Sequence, residues 1–184
     1  MFNEIQSGFK ASLHQIAVVS NNMANASTTG FKRSEGQFED AYATAFNGSA
    51  VDLGLGARVA ENKRSHVQGS MVQTNGTLDL AVNGRGMFML GPLPGSTDLA
   101  YTRDGSFTLS KDGEVLAFDG RALLDVNQQP VKIPMKDSQG RILAGLEVDY
   151  TGTINVSYGA GSTTKLAQIS LAAFDNPSAL RSAG

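Results

Sequence analysis

The chain contains neither cysteine nor tryptophan. Without thiols there is no disulfide framework and no thiolate metal centre, so packing and hydrogen bonds must hold the fold. Histidine is almost as scarce. His14 and His66 are far apart, and no short His/Asp/Glu ligand spacing surrounds either, so no metal site is expected. Neither sign of charge dominates: 15 basic and 17 acidic side chains give a formal net charge of −2. That balance does not point to nucleic acid or an acidic substrate as partner. No apolar run approaches the roughly 20 residues that span a bilayer, so membrane insertion is not expected. A secretory signal peptide is also not apparent, because Glu4, Lys10 and His14 interrupt the stretch where its apolar core would lie.

The usual signatures of catalysis are equally thin. No serine sits in a Gly-x-Ser-x-Gly setting, and two scattered histidines offer no triad. Gly84-Arg-Gly86 lacks the third glycine and the following helix of a phosphate loop, and two hairpin glycines explain it better. Asp112 to Asp119 lacks the ligand spacing of a calcium loop. Paired carboxylates of the glycosidase kind meet only in space, and nothing here favours them. The expectation is a chain that is not an enzyme and takes no cofactor.

Glycine, by contrast, is plentiful at 21 residues, and one segment is strongly helical. From Phe2 to about Asn25, apolar residues recur at Phe2, Ile5, Phe9, Ile16, Val19 and Met23, with Ser12 breaking the run and Leu13 beside it. Alternating steps of three and four make a heptad seam, which needs a partner helix to bury it. Asn21, Asn22 and Asn25 then compete for backbone groups and favour a helix end. Gly30 suits a left-handed stop, Phe31 a fold back onto the last turn, and Lys32 and Arg33 the negative end of the helix dipole. The same features suit an ordinary helix packed on its own domain under a glycine cap, and from them alone both readings stand.

Residues 38–64 read as an extended connector with one hairpin. Ala41, Ala43, Ala45 and Phe46 suggest a short helix that Asn47-Gly48, Gly54 and Gly56 break. With Tyr42, Val51 and Leu53 the stretch is too apolar for a purely solvated linker. From Ser70 the pattern turns to β. Leu78, Leu80 and Val82 alternate with polar or small neighbours. Phe107 and Leu109, then Ile154, Val156 and Tyr158, then Ile169, Leu171 and Ala173 do the same. Asn75-Gly76, Asn83-Gly84, Asp104-Gly105, Asp112-Gly113 and Asp119-Gly120 are expected to supply the positive φ of tight hairpins. Consecutive antiparallel strands follow, because no amphipathic helices separate them. The 184 residues suffice for one sizeable core plus an appendage. The expected division is an N-terminal helix at 1–30, a connector at 31–70 and an antiparallel β-domain at 71–184.

Asn21-Asn-Met-Ala-Asn-Ala-Ser-Thr-Thr-Gly-Phe-Lys32 resembles the N-terminal signature of the flagellar rod and hook proteins. Four further blocks resemble the family in the same order: Gln37–Asp40, Gln73–Phe88, Tyr101–Leu109, and Gln168–Pro177 with Leu180. Five blocks in order cover nearly the whole chain. The resemblance implies a structural subunit of the flagellar axial tube that assembles helically, transmits torque and encloses the export channel. Heterologous contacts that do not close would build such a tube. Its implied partners are other copies of itself, neighbouring rod and hook proteins and the flagellar export apparatus. It also implies a place in the basal body, reached by type III export without a cleaved signal.

Carried onto this chain, Phe2, Ile5, Phe9, Ile16, Val19 and Met23 would bury the helix seam, and Asn22, Asn25, Thr29, Gly30 and Phe31 would shape the turn into the connector. Leu78, Leu80, Val82, Phe88, Phe107, Leu109, Ile169, Leu171 and Phe174 would hold the β-domain together. The implied fold is mainly β with an N-terminal α-helix. Its antiparallel β-domain, a sandwich or partly open barrel, is joined by the extended connector to a coiled-coil-type helix.

After Leu180 the family continues to a C-terminal amphipathic helix that these 184 residues do not include. The seam is therefore expected to fray or to pack against a neighbouring molecule, since an isolated helix of this length is marginal in water. Within the family, the short connector favours a proximal-rod-like subunit, ahead of a distal one. The hook is next, because residues 152–161 and 166–174 resemble hook closing strands. Against the hook, only about 30 residues follow Gly120–Leu124 before that block, too few for an inserted domain. From other classes, a cell-wall-binding β-module using Tyr101, Tyr150 and Tyr158, or a hydrolase, are the alternatives.

Overall fold

A computed structural model describes residues 2–42, 54–60, 62–93, 95, 97–159 and 163–180. The chain divides into two compact units, residues 1–67 and 68–184. It is mainly antiparallel β with one N-terminal helix. Among the described residues no helix is long and apolar enough to cross a membrane.

The first unit begins with α1, Phe2–Ala24. Two short ladders follow. β1 (Ser34–Glu35) pairs with β4 (Lys63–Arg64), and β2 (Phe38–Tyr42) pairs with β3 (Gly54–Val59) in an antiparallel hairpin. The register runs Phe38↔Val59 to Tyr42↔Gly54, with a bulge between Asp40 and Tyr42. The helical reading of residues 41–46 is thus wrong at Ala41, which lies in β2 because its neighbours find ladder partners in β3. Ala43, Ala45, Phe46, Asn47, Gly48, Val51 and Leu53 lie outside the described residues.

The second unit is a set of small antiparallel sheets rather than a closed barrel. β5 (Met87–Leu90) lies between β6 (Ala100–Thr102) and β12 (Leu171–Ala172). β10 (Thr153–Tyr158) lies between β9 (Leu143–Val148) and β11 (Thr164–Gln168). β7 (Thr108–Leu109) pairs with β8 (Val115–Leu116). A ring of backbone hydrogen bonds joins the segments between them. Leu123 N donates to Val115 O, Val131 N to Leu123 O, and Val115 N to Val131 O, at 2.8–3.0 Å. The three side chains of that ring are fully buried, with Ile133, Ile154 and Val156 beside them. Phe88 and Phe107 meet edge to face in the same core at 5.2 Å. Each such side chain contributes roughly 1.5–3 kcal/mol by leaving water.

One turn design recurs. At Ser110–Glu114, Ala117–Arg121, Asp125–Gln129, Asp137–Arg141 and Asp149–Thr153, the first residue's N–H donates to the fifth residue's carbonyl. The fourth residue's N–H donates back to the first residue's carbonyl. The fourth position carries positive φ every time, at Gly113, Gly120, Gln128, Gly140 and Gly152. This is the three-residue hairpin loop with a left-handed bulge residue, whose twist matches that of the strands it joins. Where the first residue is Asp, its carboxylate also accepts the N–H groups two and four positions on.

Three of the five expected dipeptides lie outside these turns, and of them Gly84 alone has positive φ. Gly76 and Gly105 do not have positive φ. Gly105 is required for a steric reason instead, because a Cβ there would overlap the Leu80 carbonyl oxygen. Leu78 to Val82 alternates as expected, but Asp79↔Ser106 is its one bridge and it forms no longer strand. Leu171 is half in solvent, contrary to its expected core role. Ile169 is bridged to Asp125, whereas Leu171 pairs with Phe88 of β5. Leu171 stands opposite Phe88 and shares its face, but it is half exposed where Phe88 is buried.

Candidate assembly surface

α1 has two faces of opposite use. Phe2, Ile5, Phe9, Ile16, Val19 and Met23 all stand in solvent, from 51 % exposed at Val19 to 81 % at Phe2. Leu13 fills the gap between Phe9 and Ile16 and is also exposed. The opposite face carries Ala11 and Val18, both buried, with Ser7 and His14 partly so. This inner face packs on β3 and β1 of its own unit. His14 Nε2 and Asn62 Oδ1 are hydrogen-bonded at 2.8 Å alongside it.

The helix is therefore supported by its own hairpin, one of the two readings the spacing left open, while the seam itself stays exposed. Positions 7, 11, 14 and 18 are themselves spaced four, three and four, so the signal for this second face was present. It was weak because Ser7, Ala11 and His14 are small or polar beside a stripe of large apolar side chains.

The helix end is built by asparagines. The Asn22 side chain donates to Ser34 O at 2.8 Å and accepts from Ser34 N at 2.9 Å, pairing with β1 as a strand would. The Asn25 amide donates to Asn21 O at 3.0 Å, and Thr28 Oγ1 donates to Asn25 Oδ1 at 3.3 Å. Asn25 N still makes a helical bond to Asn21 O, whereas Ala26 N tightens onto Met23 O.

Gly30 does adopt positive φ, at 71°, but it lies six residues beyond Ala24. It serves a second turn, in which Phe31 N donates to Thr28 O, and is not the helix stop. Thr29 is exposed and Phe31 partly buried. Lys32 Nζ donates to Val67 O at 2.8 Å and Arg33 pairs with Glu35 at 3.3 Å.

The three tyrosines weighed for a binding module have separate surroundings. Tyr101 packs edge to face on Phe174 at 4.8 Å. The Tyr158 hydroxyl donates to Pro134 O at 2.8 Å, and burial there raises its pKa, with the Asp137 charge adding to the rise. Tyr150 stands wholly in solvent at the tip of a turn. Among the described residues, no three His, Asp or Glu side chains converge as a metal site would require. Residues 125–148, where a hook protein would insert a domain, form two of the five-residue turns and β9.

Comparison with known proteins matches both units. A family model described as the flagellar hook protein FlgE/F/G D1 domain matches residues 81–156, and one described as the flagella basal body rod protein matches residues 5–32. The flagellar basal-body rod protein FlgG of Buchnera aphidicola subsp. Acyrthosiphon pisum is 33% identical, over 97% of this chain and 69% of that protein. FlgG of Bacillus subtilis is 31% identical over 97% of this chain and 68% of its own length. The flagellar hook protein FlgE of Brucella abortus is 33% identical over 77% of this chain and 33% of that protein.

Proposed function

Because the chain belongs to the flagellar rod and hook protein family, whose members are structural subunits of the axial flagellum, we propose that it polymerises as a FlgG-type rod subunit through the exposed seam of α1. The short connector favours a proximal-rod-like subunit. The relatives aligned over nearly the whole chain are FlgG proteins, however, and that likeness supports a distal-rod type instead. The hook reading has the partial FlgE match behind it, but residues 125–148 continue the hairpins with no inserted domain.

The observation that carries the proposal is the seam itself. Six large apolar side chains line one face of a helix whose other face is already packed. A continuous apolar stripe left open on a soluble domain marks an interaction surface. The partners are other rod and hook subunits. The N-terminal helix, 1–30, forms the assembly element, residues 31–70 the connector and 71–184 the β-domain. Asn22, Asn25, Thr29, Gly30 and Phe31 set the angle at which the helix leaves the connector. Export through the flagellar type III channel delivers the subunit to a rod that crosses the periplasm. The chain works as a mechanical element and carries out no catalysis.

Ile16→Asp tests this. Ile16 is solvent-exposed, so the variant should melt within about 1–2 °C of the wild type, yet be absent from purified basal bodies and leave cells non-motile. Normal incorporation of a stably folded Ile16→Asp protein would refute the seam as the assembly surface.

A further inference from the structure

We propose that Asn83 is a site of spontaneous covalent modification, at which the Asn83-Gly84 pair rearranges through a cyclic imide to aspartate and isoaspartate. The inference goes beyond the assembly reading and does not depend on it. The chemistry needs a glycine after the asparagine, because the missing Cβ lets the glycine nitrogen reach the preceding side chain. It also needs that N–H and the asparagine amide to be free. Asn83 and Gly84 are both exposed, and among the described residues neither the Gly84 N–H nor the Asn83 amide makes a hydrogen bond. The space beside Gly84 is open, since a Cβ there would meet nothing within 4 Å.

The comparable pairs are held back by the fold. Gly113 N and Gly120 N donate to Ser110 O and Ala117 O at 3.0 and 2.9 Å inside their turns, so neither nitrogen is free to attack. The Asp104 carboxylate accepts from Ser106 N at 3.0 Å, and Gly105 lies under the Leu80 carbonyl. Asn75-Gly76 is exposed like Asn83-Gly84, but the Asp79 carboxylate lies against Gly76. A negative charge there opposes loss of the Gly76 amide proton. At Gly84 the sign is reversed. Arg103 Nη2 donates to Gly84 O at 2.8 Å and brings its positive charge beside the amide that must ionise.

In the first step water takes the Gly84 N proton, and the nitrogen lone pair bonds to Asn83 Cγ. The Cγ–Nδ2 bond breaks, and the leaving nitrogen picks up a proton and departs as ammonia. Water then adds to one of the two carbonyls of the five-membered imide. Breaking the bond from Gly84 N to Cγ gives aspartate. Breaking the bond from Gly84 N to the Asn83 main-chain carbonyl carbon gives isoaspartate, with the main chain now running through Cβ and Cγ. One water is consumed, one ammonia is released and nothing is oxidised. Either product carries a carboxylate close to Arg103, whose Nε is buried without a hydrogen-bond partner, so the new charge arises beside a cation. The isoaspartyl product is of the class that isoaspartyl methyltransferases accept.

The full-length protein should be aged in mildly alkaline buffer, folded or unfolded in urea, and then cut with trypsin. One peptide, 65–85, carries both Asn75 and Asn83, and its fragment masses report each site separately. Asn47-Gly48 lies outside the described residues and falls in a different peptide. The folded protein is expected to convert Asn83 about fivefold faster than Asn75, and the unfolded chain to convert the two at similar rates. The aged peptide should accept methyl groups from S-adenosylmethionine in the presence of an isoaspartyl methyltransferase. Asn83→Gln, whose longer side chain closes a six-membered ring far more slowly, should remove most of that label. Equal rates at the two sites in the folded protein, or a peptide from the aged Asn83→Gln variant that keeps its full label, overturns the proposal.

Discussion

Gln128 occupies a backbone position that glycine takes in the four other turns of the same design. Its φ of 60° places a side chain where Cβ crowds the following carbonyl, at a cost of roughly 1–2 kcal/mol. Glycine removes that strain but loses more chain entropy on folding. Gln128→Gly should therefore raise stability by about 0.5–1 kcal/mol, seen as a higher urea midpoint at unchanged slope.

Asp149 makes the opposite kind of contribution, from chemistry rather than shape. Thr151 Oγ1 donates to its carboxylate at 2.5 Å, and the N–H groups of Thr153 and Thr151 add to this, so its pKa lies below the usual carboxylate range. A carboxyl with a depressed native pKa stabilises the fold above its unfolded pKa of about 3.9 and stops doing so as pH falls through the native value. Asp149→Asn should flatten the loss of stability below about pH 4, with thermal melts of the two proteins differing least at the most acidic pH. Equal acid sensitivity of the two proteins would show that the carboxylate does not act this way. These residue-scale features were half legible. Asp-x-x-Gly at 137 and 149 is visible in the sequence, but which of its N–H groups the carboxylate collects depends on the closed hairpin.

Among elements, α1 shows how a pattern can be read correctly and its use only in part. Its bounds, Phe2–Ala24, follow from apolar spacing and from the asparagines that end it. The support it takes from its own hairpin was only one of two open readings, because Ser7, Ala11 and His14 make a weak second stripe beside the seam. Asn22 ties the two together. Removing its amide would leave the Ser34 N–H and carbonyl to find water or remain unpaired in a partly buried place. Asn22→Ala should cost about 1–2 kcal/mol and speed amide exchange at Ser34. Asn22→Asp, which keeps the acceptor and loses the donor, should fall between the two. Wild-type exchange at Ser34 in the alanine variant would mean that β1 holds without the helix end.

The whole molecule combines a β-unit with a closed core and a helix with an open one. The ring of Val115, Leu123 and Val131 buries its side chains completely, so Leu123→Ala should destabilise the β-unit by about 2–5 kcal/mol in equilibrium unfolding. Substitution along the helix seam should leave that unfolding almost unchanged. A seam that stabilised the single chain would show the reverse. The contrast separates what the chain needs in order to fold from what it keeps for its neighbours.

The sequence by itself determined the family, the helix and its seam, the turn into β-structure and the alternation at Leu78–Val82 and Thr153–Tyr158. Each is carried by residues close together in the chain, where spacing and turn chemistry act locally. Tertiary structure alone decided which segment packs on the inner face of α1, the ring of Val115, Leu123 and Val131, the steric demand at Gly105 and the exposure of Leu171. Those depend on which distant segment comes alongside. The Leu80 carbonyl over Gly105 and the change of partner from Asp125 to β5 arise from backbone approaches between residues far apart in the chain, which no local pattern encodes.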